Sequence, residues 1–204
     1  MTGQKWILPS IAVLALVLGV TTAAYITSRD QKIYAATVLP NPRPLREFEL
    51  VDHNGEPFTK ESLRGGWNLL FFGFTNCPDV CPTTLHMLRD AGDALAGLPD
   101  EQRPRAVFVS VDPMRDTPEV MFDYVSFAPG LIGVTGELSA IQILTTDLGV
   151  AVNYTAMGDT YTVDHTASLF LTDPDGRLYA IFNTPHDGEQ IVADLRKIVT
   201  ASSR

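Results

Sequence analysis

A nearly continuous apolar run over residues 67–74 constrains the fold of this chain more than any other segment. Such a run is typical of a strand that is buried on both faces of a sheet. Both cysteines of the chain, Cys77 and Cys81, follow the run directly, and apolar residues at helical spacing then extend over 82–98. The sequence therefore predicts a central strand, a loop that carries the two cysteines, and a helix.

The order of the remaining elements indicates the fold class. Residues 45–50, followed by the Asn54-Gly55 turn, predict a hairpin entrance. The further predicted elements are a buried strand over 106–111, helices over 117–127 and 136–148, a hairpin of strands 168–172 and 178–182, and a closing helix over 187–201. This order predicts an α/β fold with a mixed central sheet flanked by helices, which is the thioredoxin-like plan.

The N-terminal segment is apolar enough to enter a membrane. Residues 6–26 carry no charge, and a helix of about 20 residues covers the roughly 30 Å of a bilayer core. We expect residues 1–29 to form a transmembrane helix that anchors the chain, with a cleaved signal peptide as the alternative, because small residues at 22–24 suit a signal peptidase. Both alternatives place the soluble domain in the periplasm, beside a bacterial inner membrane.

Two compositional features limit the possible domain boundaries and partners of the rest of the chain. Residues 30–44 contain three prolines without periodicity, so we expect an extended linker that precedes a domain over 45–204. The whole chain has 15 basic and 24 acidic side chains, a formal net charge of −9. A nucleic-acid partner held through its phosphates is therefore disfavoured.

The cysteines lie where a buried strand meets a helix N-terminus, a position that stabilises thiolates. Because Pro82 suits the first helical position and disfavours helical angles at Cys81, we expect a loop between the cysteines. That loop brings the sulfurs close enough either to bind one metal ion or to form a disulfide. A closed structural zinc site is disfavoured, since it needs four ligands.

His165 precedes the predicted strand 168–172, whose start is expected beside the cysteine loop. Two thiolates and one imidazole form a soft site that suits copper, as Cu(I) with three ligands or Cu(II) with a weak fourth. A single histidine is more often a packed or surface residue, so the residues alone leave its role open.

Four segments together resemble the Sco/SenC family of copper-binding proteins that assemble cytochrome c oxidase. They are FGFTNCPDVCP over 72–82, SVDPMRDTP over 110–118, GVTG over 133–136 and VDH over 163–165. The resemblance extends from residue 44 to the C-terminus. A CxxxC loop with a distant Asp-His pair distinguishes this family from thioredoxins, which use CxxC, and from peroxiredoxins.

The resemblance implies a metal site and a set of partners. Cys77, Cys81 and His165 would bind one copper ion for the binuclear copper centre of oxidase subunit II or a similar cuproprotein. An upstream periplasmic copper carrier and a thiol reductant are further implied partners. This is binding chemistry, so no catalytic residue is predicted. Asp79 and Asp164 are candidates to support the ligands. Asp79 would tune the pKa of a thiolate, with the alternative that it is only an exposed acid of the loop. Asp164 would orient the ring of His165, with the alternative that a backbone carbonyl does so.

A second function uses the same sulfurs. In a membrane-anchored thiol–disulfide oxidoreductase acting on an oxidase subunit or another periplasmic protein, Cys77 attacks a disulfide and Cys81 resolves the mixed disulfide. Accessory reductase activity is compatible with copper binding, because the thiols must be reduced before they take metal. A peroxidase that uses Thr75 and Arg115 is the least favoured function.

In the loop after the predicted strand 106–111, Asp116 or Thr117 is expected to cap the next helix.

Overall fold

The computed structural model describes residues 14–22 and 32–202. Residues 14–22 are helical, and Tyr34–Arg204 form a separate compact unit. The predicted membrane segment, residues 6–26, lies outside the described residues except for 14–22. Among the described residues, no helix is both long enough and apolar enough to span a bilayer.

The described part of the compact unit contains ten strands and four α-helices. The strands are β1 (Ala36–Pro44), β2 (Glu49–Asp52), β3 (Pro57–Thr59), β4 (Asn68–Gly73), β5 (Arg105–Ser110), β6 (Ile132–Thr135), β7 (Val152–Met157), β8 (Thr160–His165), β9 (Leu169–Thr172) and β10 (Arg177–Phe182). The α-helices are α1 (Val80–Leu95), α2 (Pro118–Val125), α3 (Leu138–Leu148) and α4 (Gly188–Ala201). Short 3-10 helices cover Lys60–Leu63 and Asp100–Gln102.

Eight strands form one mixed sheet in the order β1-β10-β9-β4-β5-β6-β2-β3. The pairs β4–β5 and β5–β6 are parallel, and the other pairs of this sheet are antiparallel. Every residue of β4 is buried, which confirms the predicted central strand. The mixed, helix-flanked sheet of the thioredoxin-like plan is also confirmed.

Alternate residues of β4 enter different parts of the interior. Leu70 and Phe72 belong to a hydrophobic cluster that also contains Leu144 of α3. The ring of Phe71, between them in sequence, instead stacks on Phe108 of β5 at 6.0 Å between centroids. The sheet is therefore buried on both faces, as its apolar sequence predicts.

The parallel strands bring two loops to one edge of the sheet. In the β4–β5 register, Gly73 lies opposite Ser110, the last residue of β5. The chain that leaves β4 towards the cysteines and the chain that leaves β5 over 111–117 therefore emerge side by side. His165 ends β8, which pairs with β7 in a separate two-stranded sheet.

Most of the predicted elements are confirmed. The hairpin entrance is β2–β3, with Asn54-Gly55 in its turn, and the 173–176 turn joins β9 to β10. The helix α2 has Thr117 as its N-cap and Pro118 in its first turn. Asp187 caps α4 by accepting from the backbone of Gln190.

The expectation of a linker over 30–44 is wrong for 36–44, which form β1. This strand pairs antiparallel with β10 at the edge of the sheet, with a register shift between Val38 and Arg43. The shift spans Pro40 and Pro42, which have no N–H to donate to a regular ladder. Edge strands tolerate proline, so the proline pattern that resembles a tether is also compatible with pairing.

The expected loop between the cysteines is also wrong at its C-terminal end. The helix α1 begins at Val80, so Cys81 lies in its first turn and Pro82 is its third residue. The first four N–H groups of a helix have no intrahelical partner, and proline therefore loses no hydrogen bond at this position.

Candidate metal centre

Cys81 packs directly against the end of the central strand. Its side chain is completely buried, whereas Cys77 is half-buried, and both residues are free thiols. A Cβ atom at Gly73 would lie 2.7 Å from the Cys81 Sγ and 2.7 Å from Cε2 of Phe108. The missing side chain at Gly73 therefore allows the first turn of α1 to lie against β4.

The imidazole of His165 lies next to this sulfur. The distance from its Nε2 to the Cys81 Sγ is 3.7 Å, and its Nδ1 lies 3.1 Å from the carbonyl oxygen of Thr166. Because a carbonyl only accepts hydrogen bonds, this contact assigns the proton to Nδ1. The lone pair of Nε2 is then directed towards the sulfur.

Aromatic rings enclose the same imidazole. The ring centroids of Phe71 and Phe74 lie 6.2 and 6.1 Å from that of His165, both in edge-on geometry. Burial lowers the pKa of His165, although the Thr166 carbonyl and the charge of Asp164 act in the opposite direction. The neutral imidazole, the form that binds metals, is therefore favoured.

Burial has the opposite effect on the neighbouring thiol. It raises the pKa of Cys81, and a hydrogen bond with Cys77 and the negative charges of Cys77 and Asp116 raise it further. The backbone N–H of Phe74 favours the thiolate but does not outweigh burial. Cys81 is thus a neutral thiol unless a cation compensates for the desolvation of its thiolate.

The two candidate supporting carboxylates differ from the candidate ligands in exposure. Asp79 is exposed and occupies the N-cap position of α1 without a side-chain cap hydrogen bond, which confirms the account of an exposed acid. Asp164 is also exposed and accepts from the hydroxyl of Thr155 at 3.2 Å. The hydrogen-bond partner of His165 is the Thr166 carbonyl, which agrees with the alternative that a backbone carbonyl, and not Asp164, orients the ring.

The loop after β5 contains two buried carboxylates, Asp112 and Asp116. Asp116 does not cap α2, because the hydroxyl of Thr117 does so. Asp116 instead accepts from Thr75 and Ser110, and Asp112 pairs with Arg115. The dense run of charged and turn-forming residues over 110–118 is the sequence signal for this cluster, but it does not reveal the partners.

The predicted ligands form a short chain of contacts, with Cys77 next to Cys81 and Cys81 next to His165. Within 14–22 and 32–202, no group of three or more His, Cys, Asp or Glu side chains is assembled closely enough to hold a metal ion. Cys77, the more exposed of the two thiols, precedes the first turn of α1.

A thioredoxin-like sheet with two thiols and an imidazole at one edge defines a class of domain suited to thiol and soft-metal chemistry. The particular family follows from comparison with known proteins. The family model described as SCO1/SenC matches residues 38–200, and the chain belongs to this family.

Relatives and solved structures agree with this assignment. The chain is 39% identical over 180 residues to a Stutzerimonas stutzeri protein named for copper binding, covering 85% of this chain and 87% of that protein. It is 38% identical to the mouse mitochondrial SCO2 homolog over 76% of this chain, and it spans 62% of the mouse protein. The structure of Bradyrhizobium japonicum ScoI with copper bound has a TM-score of 0.67 at 40% identity, covering 74% of this chain and 97% of that one.

Proposed function

We propose that this protein is a copper chaperone that binds one copper ion through Cys77, Cys81 and His165. It would deliver that ion to the binuclear copper centre of cytochrome c oxidase subunit II or a similar cuproprotein. The observation that carries the proposal is the 3.7 Å contact between the Cys81 Sγ and the His165 Nε2, whose lone pair is left available by the Thr166 carbonyl.

The chemistry of the three side chains supports copper as the cargo. Two thiolates and one imidazole are soft ligands, and Cu(I) accepts three of them. Burial makes a Cys81 thiolate costly without a cation, so copper would displace the proton from this sulfur on binding. The half-buried Cys77 is accessible to an incoming ligand of an acceptor, which permits transfer by stepwise ligand exchange.

Family membership supports the same function. The copper-bound Bradyrhizobium structure shows that a relative with 40% identity holds this metal. The resemblance of the sequence motifs extends the proposal to oxidase assembly, with an upstream copper carrier and a thiol reductant as further partners. We also propose that residues 1–29 tether the domain to the inner membrane on its periplasmic side.

Anaerobic titration of the reduced protein with Cu(I), against a competing chelator, tests the proposal. We expect one copper ion per chain and a loss of affinity of roughly 100-fold or more in His165→Ala, since even groups that only support a ligand contribute about 10–100-fold. His86→Ala is the matched control, because His86 is exposed and packs on Phe127. Failure to bind stoichiometric copper, or equal affinity in His165→Ala and wild type, would overturn the three-ligand site.

A second candidate function is thiol–disulfide exchange, favoured by the contact of the accessible Cys77 with Cys81. Cys77 would attack a substrate disulfide, and Cys81 would then release the substrate as two thiols, leaving a Cys77–Cys81 disulfide for an external thiol to reduce. Metal-free turnover of a disulfide substrate that persists in His165→Ala would support this function, because exchange needs only the two sulfurs.

A further inference from the structure

The loop over residues 112–116 lies between two parts of the proposed copper site. We propose that this loop sets the spacing between the cysteine arm, residues 74–81, and the histidine arm, formed by β7 and β8, and that Arg115 is the positioning residue for His165. The inference rests on the proposed copper site and concerns side chains that are not ligands.

Asp116 holds the cysteine arm. Its buried carboxylate accepts from the backbone N–H of Thr75 at 3.1 Å and from the Thr75 hydroxyl at 2.6 Å. The same group accepts from the hydroxyl of Ser110 at 2.6 Å. Thr75 precedes Cys77 by two residues, so these bonds fix the start of the cysteine arm to the end of β5.

Arg115 holds the histidine arm. Its Nη1 donates to the carbonyl oxygen of Tyr161 at 3.1 Å, and its guanidinium lies 4.0 Å from the centroid of the Tyr161 ring. The ring of Phe74, which also packs against His165, is 5.9 Å from the same guanidinium. Tyr161 and His165 lie four residues apart on β8 and therefore on the same face of the strand, so Arg115 acts on the strand that presents the imidazole.

Asp112 connects these contacts within the loop. It is fully buried and accepts from the Nε of Arg115 and, at 2.6 Å, from the hydroxyl of Tyr161. Its backbone carbonyl accepts from the N–H groups of Arg115 and Asp116. The side chains that hold the two arms are thus parts of one hydrogen-bonded turn, so their separation is fixed.

The histidine arm depends on such contacts for its orientation. The β7–β8 hairpin is not hydrogen-bonded to the main sheet, and most of its β7 side chains are exposed. A two-stranded hairpin is marginally stable by itself. Besides the buried Val163, its described anchors include Tyr161 and Tyr154, and the Tyr154 hydroxyl donates to the carbonyl of Val111, at the start of the loop.

Arg115→Lys is the decisive variant. Lysine retains the positive charge beside Asp112 but not the planar group that stacks on Tyr161 while donating to its carbonyl. We expect Cu(I) affinity to fall about tenfold, the lower end of the range for groups that orient metal ligands. Arg177→Lys is the matched control, because Arg177 pairs with the buried Asp173 in the β9–β10 hairpin.

A double-mutant cycle separates positioning from a general structural effect. In a His165→Ala background, Arg115→Lys should cause no further loss of affinity, because it acts through the imidazole. Thr75→Val, which removes a hydrogen bond to Asp116 on the cysteine arm, should weaken binding in both backgrounds. Equal losses from Arg115→Lys in both backgrounds, or an equal loss from Arg177→Lys, would overturn the inference.

A measurement on the metal-free protein distinguishes this inference from the proposed function. Nitrogen NMR of His165 should report the single Nδ1–H tautomer in wild type and a mixture of tautomers in Arg115→Lys. Absence of copper binding in wild type, with this spectral change present, would refute the proposed function and leave the positioning role supported. An unchanged His165 spectrum in Arg115→Lys would refute the positioning role even if copper binds.

Discussion

The two cysteines occupy different environments although only three residues separate them. Cys81 is fully buried in the first turn of α1, and Cys77 is half-buried ahead of it. Burial is the largest cause of the raised pKa of Cys81. Because the thiolate is the reactive form of cysteine, the two thiols should differ in reactivity as well as in access.

Alkylation with iodoacetamide in the metal-free, reduced protein tests this difference. We expect Cys77 to react at least about tenfold faster than Cys81, because the Cys81 side chain is fully buried and burial raises its pKa. In Cys77→Ser, the rate at Cys81 should still rise with pH above about 9.5, where an ordinary thiol with a pKa of about 8.5 is almost fully ionised, since burial raises the folded-state pKa of Cys81. The same variant in denaturant provides the control, and a folded-state rate that levels off at the same pH as in denaturant would contradict the prediction.

At the level of single residues, the sequence motifs identify the proposed ligands more clearly than the residues that support them. Cys77 and Cys81 are the two cysteines of the chain, whereas His165 is one of four histidines and is singled out by the resemblance of the motif over 163–165. Asp112 and Arg115 are charged residues that a sequence pattern would place at the surface. Their contacts with Tyr161 join segments that are distant in sequence, which no local pattern records.

Among the elements, the edge strand β1 depends on one carboxylate of α4. Asp194 is fully buried, and its Oδ2 accepts from three consecutive backbone N–H groups, those of Tyr34, Ala35 and Ala36, at 2.8, 2.6 and 3.0 Å. These donors lie where the chain enters β1. The carboxylate therefore joins the closing helix to the first strand.

Asp194→Ala should destabilise the domain by about 3 kcal/mol, because hydrogen bonds to charged groups contribute about 1.5–3 kcal/mol and backbone donors would lose their partner. Chemical denaturation, monitored by circular dichroism, measures the change. Asp187→Ala, on the same helix, is the control and should cost about 1 kcal/mol as the loss of an exposed N-cap. A smaller effect of Asp194→Ala than of Asp187→Ala would show that β1 is held by its pairing with β10 alone.

Two of the elements that the sequence patterns miss, β1 and β7, share one physical property. Predicted elements such as β4 and β5 bury apolar side chains on both faces of the sheet, which produces a nearly continuous apolar run in the sequence. The edge strand β1 and the strand β7 have mainly exposed side chains and are held largely through backbone pairing. The proline-containing β1 shows no apolar periodicity, whereas residues 152–156 of β7 and 160–164 of β8 alternate apolar and polar side chains over a short stretch. The hairpin that presents His165 therefore has only a short alternating pattern, which is weaker than the continuous apolar runs of β4 and β5.

For the whole domain, topology explains why residues far apart in sequence meet. The parallel pairing of β4 and β5 brings the cysteine segment and the loop after β5 to one sheet edge. The β7–β8 hairpin then contributes His165, 84 residues after Cys81. A candidate site of this kind requires the complete sheet, so its ligands become neighbours only in the folded domain.

The full chain should associate with membranes through residues 6–26. The double variant Leu14→Arg, Leu18→Arg should prevent membrane insertion, because each arginine near the centre of a membrane helix costs about 2.5–3.5 kcal/mol. Ser28→Arg is the control. It lies beyond the apolar run and should leave insertion unchanged. Membrane fractionation of bacterial cells and the intact mass of the protein measure the outcome. A wild-type protein of full mass in the membrane fraction would support an anchor. A released protein that lacks its first residues would instead identify a cleaved signal peptide.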